Sequence, residues 1–326
     1  MSGPNSSFSE LAAITIANYS SELFDNVSNN LPLLYLLKQK GNVATVDVDG
    51  GTTILENLEY GDNASFKWYS GYEELSVTPS DVFTAASFDW KQCNCNAIFS
   101  GREIAINSGP SKQYDLIKSK TKNAERTMTN NLGASLYYAG TENDGKSVGG
   151  LQLLVADDPT TGTVGGINRA ATAGAFYANQ IADISVETSA LGAISKTTIF
   201  AYMNLLYKRT SRNNDVPNVF VGGGTYHTYF EDALQANQRF MDAKEADVGF
   251  MYSMYKGAKV IYDPNCSATR MYALNTNFIK LKAHKSVNMA VGETRRPTNQ
   301  DAIVIPINWM GNMTCSNPSL QGVLIA

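Results

Sequence analysis

The sequence predicts an α+β fold in which a projecting β-hairpin and a long helix precede a mixed helix-and-strand region. Three observations predict it. Alternating apolar limbs at 44–60 and 82–90 flank a polar, aromatic stretch, the pattern of a long hairpin. Apolar residues then recur every three or four positions from Tyr114 to Ala139, the period of a helix. Beyond Gly149-Gly150, short apolar runs of strand length alternate with helical stretches.

Composition narrows the function. The 326 residues correspond to about two domains, or to one with large excursions. Hydrophobic residues are 43% of the chain and charged residues 17%. The first figure supports a real core, and the second lies below the roughly 25% of an average soluble protein. The formal charge is −4, from 26 Lys+Arg against 30 Asp+Glu. A dedicated nucleic-acid binder is strongly basic, so extensive phosphate binding is not expected. A surface rich in uncharged Asn, Thr, Ser and Tyr is expected to meet other protein.

The chain opens with an arm, 1–42. Ser7-Phe8-Ser9-Glu10 fits a capping box, and Phe8, Leu11, Thr15, Tyr19 and Leu23 follow at helical spacing. A second apolar piece, 31–37, is the longest such stretch and is far short of the roughly 20 residues that cross a bilayer. The opening MSGPNSSFSEL has neither a basic nor an apolar signal region, so no secretory signal is expected. The arm is amphipathic and is expected to have little of its own chain to pack on.

The next range, 43–100, is expected to be the hairpin. Ala44, Val46 and Val48 alternate before the Asp49-Gly50-Gly51 turn, and 52–60 resumes in extended style. After the tip, 61–80, Val82, Thr84, Ala86, Phe88 and Trp90 alternate again. A two-stranded hairpin alone is marginal in water, so this one needs a partner surface.

The helix expected at about 110–139 would be about 45 Å long at 1.5 Å per residue, the length of a spine. Gly109-Pro110 opens it and Gly140 stops it. Lys112, Lys118, Lys120, Lys122 and Arg126 cluster on its first half. They read as a solvated face or inter-subunit ion pairs, with a basic patch toward packaged nucleic acid as the sharper alternative. Farther on, 172–184 reads as helix. A second helix follows Ser195 with Ile199, Met203 and Leu206, and a third begins at Thr225 and runs through Phe230 and Leu234. Strands are expected at 218–221, 250–254, 259–262, 271–274, 278–281 and 302–307.

Catalytic patterns are weak. Gly140-Thr141-Glu142-Asn143-Asp144-Gly145-Lys146-Ser147 matches the phosphate-binding string G-x4-G-K-[ST] letter for letter. That chemistry needs a strand before the loop and a helix after it, so that free amides meet phosphate. Here the loop follows a helix, precedes Val148-Gly149-Gly150, and carries two carboxylates. It reads as a helix stop and polar turn, with a P-loop nucleotidase as the alternative of another class. The two histidines, His227 and His284, form no metal or triad pattern, and His227 reads as a packing or capping residue. Cys93, Cys95, Cys266 and Cys315 read as reduced thiols. Glu73-Glu74 in the tip suits a basic partner better than acid–base chemistry. No enzyme activity, cofactor or metal is expected.

Arm, hairpin, spine helix and α+β region, in that order, resemble the major capsid proteins of tailed bacteriophages with the Hong Kong 97-type fold. Particular strings carry the likeness. Ser70-Gly71-Tyr72-Glu73-Glu74-Leu75, Phe88-Asp89-Trp90-Lys91-Gln92, Phe99-Ser100-Gly101-Arg102-Glu103 and Asn107-Ser108-Gly109 are similar to that family's extended loop and its return. Gly165-Gly166-Ile167-Asn168-Arg169 is similar to its G-I-x-R element. The run from Tyr255 to Asp263, followed by Met271-Tyr272-Ala273-Leu274-Asn275, is similar to its axial-domain strands.

The resemblance implies an N-terminal arm (1–42), an extended loop (43–100), a peripheral domain with the spine helix (101–185), an axial domain (186–265) and returning strands (266–326). It implies a virion shell of hexamers and pentamers that encloses double-stranded DNA by weak, non-specific contact, assembled in the bacterial host's cytoplasm with no membrane involved. Many members carry a scaffolding segment before the arm. This chain enters the arm almost directly, which implies a separate scaffolding protein or none, beside a portal protein and, in some heads of this kind, a decoration protein. Implied inter-subunit contacts are Phe8, Leu11, Lys67, Trp68, Tyr72, Glu73, Glu74, Arg102, Glu103 and Arg169. The cluster Lys112, Lys118, Lys120, Lys122 and Arg126 would face the lumen. Some members link subunits covalently through a loop lysine, and Lys67 sits in the corresponding region. An encapsulin-like protein compartment is the alternative within the same fold.

Overall fold

The computed structural model describes residues 30–38, 45–106, 116–235 and 253–325. The arm's capping box, with Phe8 and Leu11, lies outside the described residues, as do Lys112 and the start of the spine helix.

Two sheets organise the chain. In the first, β14 (Ala302–Cys315) is the central strand. β4 (Lys91–Ser100) runs antiparallel to it, from Ala302 opposite Ser100 to Gly311 opposite Lys91. The other end of β14 pairs with β12 (Ile279–His284), whose far edge takes β1 (Thr45–Val48) in parallel. β13 (Ala290–Val291) pairs beside Ile307 and Asn308. The alternation of Ala97 and Phe99 on β4, and of Ile279, Leu281 and Ala283 on β12, buries one face of this sheet.

The second sheet has six strands in the order β7 (Gln180–Asp183), β15 (Gly322–Ile325), β11 (Arg270–Leu274), β8 (Val219–Gly222), β10 (Ala258–Tyr262) and β9 (Ser253–Tyr255). Helices at Ile199–Thr210 and Gly224–Gln235 pack on it. Ile199, Tyr202, Met203 and Leu206 meet Phe220, Val260, Met271 and Leu324 in a core of its own. The strand-to-helix turn after β8 requires Gly223, because a Cβ there would stand 1.8 Å from the Ser267 carbonyl oxygen.

The hairpin is β2 (Ile54–Glu59) against β3 (Phe83–Phe88), with Ile54 opposite Phe88 and Glu59 opposite Phe83. It is therefore narrower than the expected 43–100. The flanking strands β1 and β4 pair in the first sheet, where their backbone groups find partners that a two-stranded ribbon cannot supply.

The spine helix, Leu116–Ser135, buries Ala124, Met128 and Leu132 at four-residue spacing against β4. It stops at Ser135, short of the expected Ala139. The amides of Leu136, Tyr137 and Tyr138 turn to carbonyls three residues back, and the Leu136 carbonyl is taken by the Leu151 amide at 2.6 Å.

Other expectations are corrected. The apolar piece of the arm is the helix Pro32–Lys38, and Leu33, Leu34, Leu36 and Leu37 are buried in their own chain's core. It finds a home surface because Gly133 on the spine has no Cβ, which would lie 2.5 Å from Leu31. The expected helix at 172–184 is a 3-10 turn, Thr172–Tyr177, followed by β7, because residues 180–183 are drawn into parallel pairing with β15. The helix falls later, at Ile184–Leu191, where Asp183 accepts from the Ser185 amide at 2.8 Å as its cap. Strands β8, β10 and β11 lie where expected, whereas β12 and β14 run longer and β15 has no counterpart in the sequence reading.

Candidate assembly surface

The hairpin divides into a seated root and a bare tip. On β2 the inward positions are Ile54, Glu56 and Leu58, and on β3 they are Ala86 and Phe88. Burying an Ile, Leu or Phe side chain contributes roughly 1.5–3 kcal/mol. Below them sits a small hairpin, Thr163–Val164 and Ile167–Asn168, joined by Gly165 and Gly166 at positive φ. The Gly165 carbonyl accepts from the Ser87 amide at 2.8 Å, and a Cβ on Gly165 would stand 2.8 Å from that of Ala86. Glycine at this position allows the approach.

Glu56 is an acid on the inward face. Its Oε1 lies 2.9 Å from Lys282 Nζ and accepts from Thr314 Oγ1 at 2.7 Å, with the two charged side chains only 10% and 12% exposed. Lys282 also donates to the Leu55 carbonyl. Asn312 ties the other end of the root. Its Nδ2 donates to the Asp89 carbonyl at 2.8 Å, while its Oδ1 accepts from the Gly149 and Met313 amides. The sequence reading did not name Glu56, Lys282, Thr314 or Asn312. The signal was present for Glu56, since a lone carboxylate between Ile54 and Leu58 on a buried face requires a cation.

The tip is ordered by its own polar groups. Tyr60 donates to the Val82 carbonyl, Ala64 to Ser80 Oγ, and Ser65 and Ser80 both to Asn63 Oδ1. Lys67 and Glu73 form an ion pair at 2.9 Å. Its rings nevertheless stand in solvent. Trp68 is 87% exposed and meets Phe66 edge-on at 5.6 Å, and Phe66, Tyr69, Tyr72, Leu75 and Val77 are exposed beside it. A cluster of exposed apolar side chains of this kind, on a loop ordered by its own polar groups, has the character of an interaction surface. Glu74 is exposed and makes no ion pair among the described residues.

The other expected contacts divide. Arg102 is exposed on the helix Gly101–Ile106. Glu103 is not free for a neighbour. It forms a capping box with Ser100, each side chain accepting from the other's amide, and it pairs with Lys120 at 3.2 Å. Burial pushes its carboxyl up, but the Ser100 amide and Lys120 outweigh that and leave it below the usual value. Arg169 is 3% exposed and is a core anchor rather than a contact residue. Its guanidinium donates to the carbonyls of Tyr177 at 3.0 Å and Leu154 at 2.7 Å, with Leu153 and Asn179 also in reach. Burial lowers its pKa.

Lys118 and Lys122 are exposed and Arg126 is half-buried, while Lys120 turns to Glu103 and lies over the Phe99 ring. The 140–147 loop is a turn with Asn143 and Asp144 both at positive φ, preceded by the spine and followed by the single-turn helix Leu151–Leu154. Glu142 accepts from the Ala139 amide, Ser147 donates to Glu142, and Gly145 accepts from Lys91. Glu142 and Ser147 are held within the turn while Asp144 and Lys146 stand exposed, and a helix rather than a strand leads into it, so the phosphate-cradle geometry is absent.

The four cysteines are free thiols. Burial pushes Cys266 and Cys315 up to about 12, and burial with the neighbouring Cys95 raises Cys93. Among the described residues no group of three or more His, Cys, Asp or Glu converges on a metal-sized space. No described helix is long and apolar enough to cross a membrane.

No protein-family model matches the chain, and no curated protein matches its sequence. Solved structures do match. The capsid of cyanophage A-1(L) is 14% identical with a TM-score of 0.69, over 94% of this chain and 95% of that one. The capsid of the empty GTA particle is 12% identical with a TM-score of 0.62, over 99% of each chain. The SrpI encapsulin complex from Synechococcus elongatus PCC 7942 is 10% identical with a TM-score of 0.57, over 98% of this chain and 95% of that one. The likeness is one of fold, and it runs the length of the chain. An α+β arrangement with a projecting hairpin, a spine helix and two sheets is the Hong Kong 97-type fold of phage capsids.

Proposed function

We propose that this chain is the main shell subunit of a tailed-phage head, closing into hexamers and pentamers around double-stranded DNA. The observation that carries the reading is the hairpin, whose root is fixed to its own sheet by a buried ion pair while its aromatic tip lies bare. A chain that spends ordered structure on holding apolar rings away from its own core has a partner for them. With one chain repeated, each subunit meets several neighbours at once, so modest contacts add through multivalency.

A phage shell is favoured over a protein compartment because the likeness to the cyanophage capsid is greater than that to the encapsulin. The subunit carries out no chemistry in this reading. A separate scaffolding protein, a portal and a decoration protein complete the head, which is assembled in the host cytoplasm. The division into arm, extended loop, peripheral and axial domains belongs to the same proposal, with the free hairpin narrowed to 54–88. The test is electron microscopy of the full chain, expressed alone and together with the genes that flank it. Closed shells or capsomer rings are expected. Monomers in both settings would contradict the proposal.

A further inference from the structure

Two thiols share one face of β4. Successive side chains of a strand point to opposite faces, so Cys93 and Cys95 stand on the face that buries Ala97 and Phe99. In the register with β14, Cys93 lies beside Trp309 and Cys95 beside Ile307. Both are free thiols, Cys93 exposed and Cys95 half-buried. Charge on Cys95 resists charge on Cys93, and a cation shared between them removes that repulsion.

The spacing suits a bridging cation and not a disulfide. Two residues of strand put the side-chain bases about 6.7 Å apart, whereas a disulfide needs its Cβ atoms at about 3.8 Å and its sulfurs at about 2.05 Å. Closing that gap would bend the longest paired stretch of the first sheet. Two metal–thiolate bonds of about 2.3 Å each let the sulfurs stand up to about 4.6 Å apart, and the strand keeps its geometry.

Softness and ligand number select the cation. Among the described residues no group of three or more His, Cys, Asp or Glu is placed to hold a metal. Zinc and iron–sulfur clusters take four ligands. Two thiolates without a carboxylate suit copper(I), a soft ion that is content with two sulfur donors. Met310 supplies no third sulfur, because it pairs with Gln92 on the opposite face, where its Sδ accepts from Gln92 Nε2 at 3.5 Å. Binding releases the two thiol protons to solvent and leaves one net negative charge on the complex. Lys91 and Lys146 line the groove beside Cys93, and no described carboxylate does, which favours that charge.

We propose that Cys93 and Cys95 form a two-sulfur site for copper(I) on the edge of the first sheet. The site goes beyond the shell function and does not depend on it. The test uses the full chain, reduced and kept under nitrogen, competing with bicinchoninate for copper(I). One copper per chain is expected, with two sulfur neighbours by X-ray absorption and no displacement by excess zinc. Cys93→Ser and Cys95→Ser should each weaken binding by an order of magnitude or more while keeping the parent's urea midpoint, and Cys266→Ser should leave it unchanged. Copper held equally well by either β4 variant, or fewer than two sulfur neighbours in the parent, would overturn the site. So would half a copper per chain, the mark of an ion bridging two copies through single thiols.

Discussion

Glu56 Oε1 lies 2.9 Å from Lys282 Nζ beneath the root of the hairpin, and the hydroxyl of Thr314 donates to the same oxygen. The pair joins β2 to two strands of the first sheet, β12 and β14. It fixes the direction in which the hairpin leaves the body, and so where the exposed rings of the tip are presented.

Glu56→Ala leaves the Lys282 ammonium buried without its carboxylate. The expected loss is about 3 kcal/mol, read as a lower urea midpoint. Adding Lys282→Met should return most of it, because a well-packed apolar pair often matches a buried ion pair.

Arg169→Met removes the donors of several buried carbonyls, those of Tyr177 and Leu154 among them. The expected loss is roughly 3 kcal/mol, since each unsatisfied buried acceptor costs about 1–3 kcal/mol. Arg169→Lys should recover little of it, because an ammonium lacks the planar fork that spans these acceptors. Chemical denaturation of the three proteins checks both statements.

Gly223→Ala and Gly71→Ala should differ sharply. At Gly223 the added methyl meets the Ser267 carbonyl, and backbone must move, for a cost of about 3 kcal/mol. At Gly71, φ is +57° with nothing within 4 Å, so only the left-handed backbone penalty of about 1 kcal/mol applies. Thermal melts of both variants give the comparison.

His227 packs near Phe230 and Tyr262, with Glu231 at 3.8 Å. Burial lowers its pKa from 6.5, and Glu231 only partly offsets this. The folded value lies below the unfolded one, so the unfolded chain takes up the proton first. The stability from a neutral His227 is present above pH 6.5 and is lost as the pH falls through the lowered value. Melting temperature followed from about pH 8 to about pH 5 should fall less in His227→Gln than in the parent.

The sequence was informative where period and punctuation agreed. The limbs around the tip, the spine and the strands near Val221, Ile261 and Ala273 were legible because alternation or helical spacing ran uninterrupted. Long-range pairing was not legible. Residues 180–183 look helical in isolation and become strand because Gly322–Ile325 lies beside them in the fold. The apolar piece at 31–37 looked like an arm seeking a neighbour, and nothing local shows that Gly133, about a hundred residues away, leaves it a seat. In the tip, Trp68, Tyr72 and Glu74 were legible as exposed from the polar, aromatic stretch between the two limbs. Arg169 and Glu103 were not, because a charged residue named from a motif carries no sign of whether its partners lie within its own chain.

The most direct measurement compares electron micrographs of the full chain with those of a chain lacking residues 61–80, each expressed under conditions where the full chain assembles. The deletion removes the exposed tip and spares the root held by Glu56 and Lys282. The account predicts closed shells from the full chain, and folded subunits with an unchanged urea midpoint but no closed shells from the deletion. Normal shells from the deletion would contradict it.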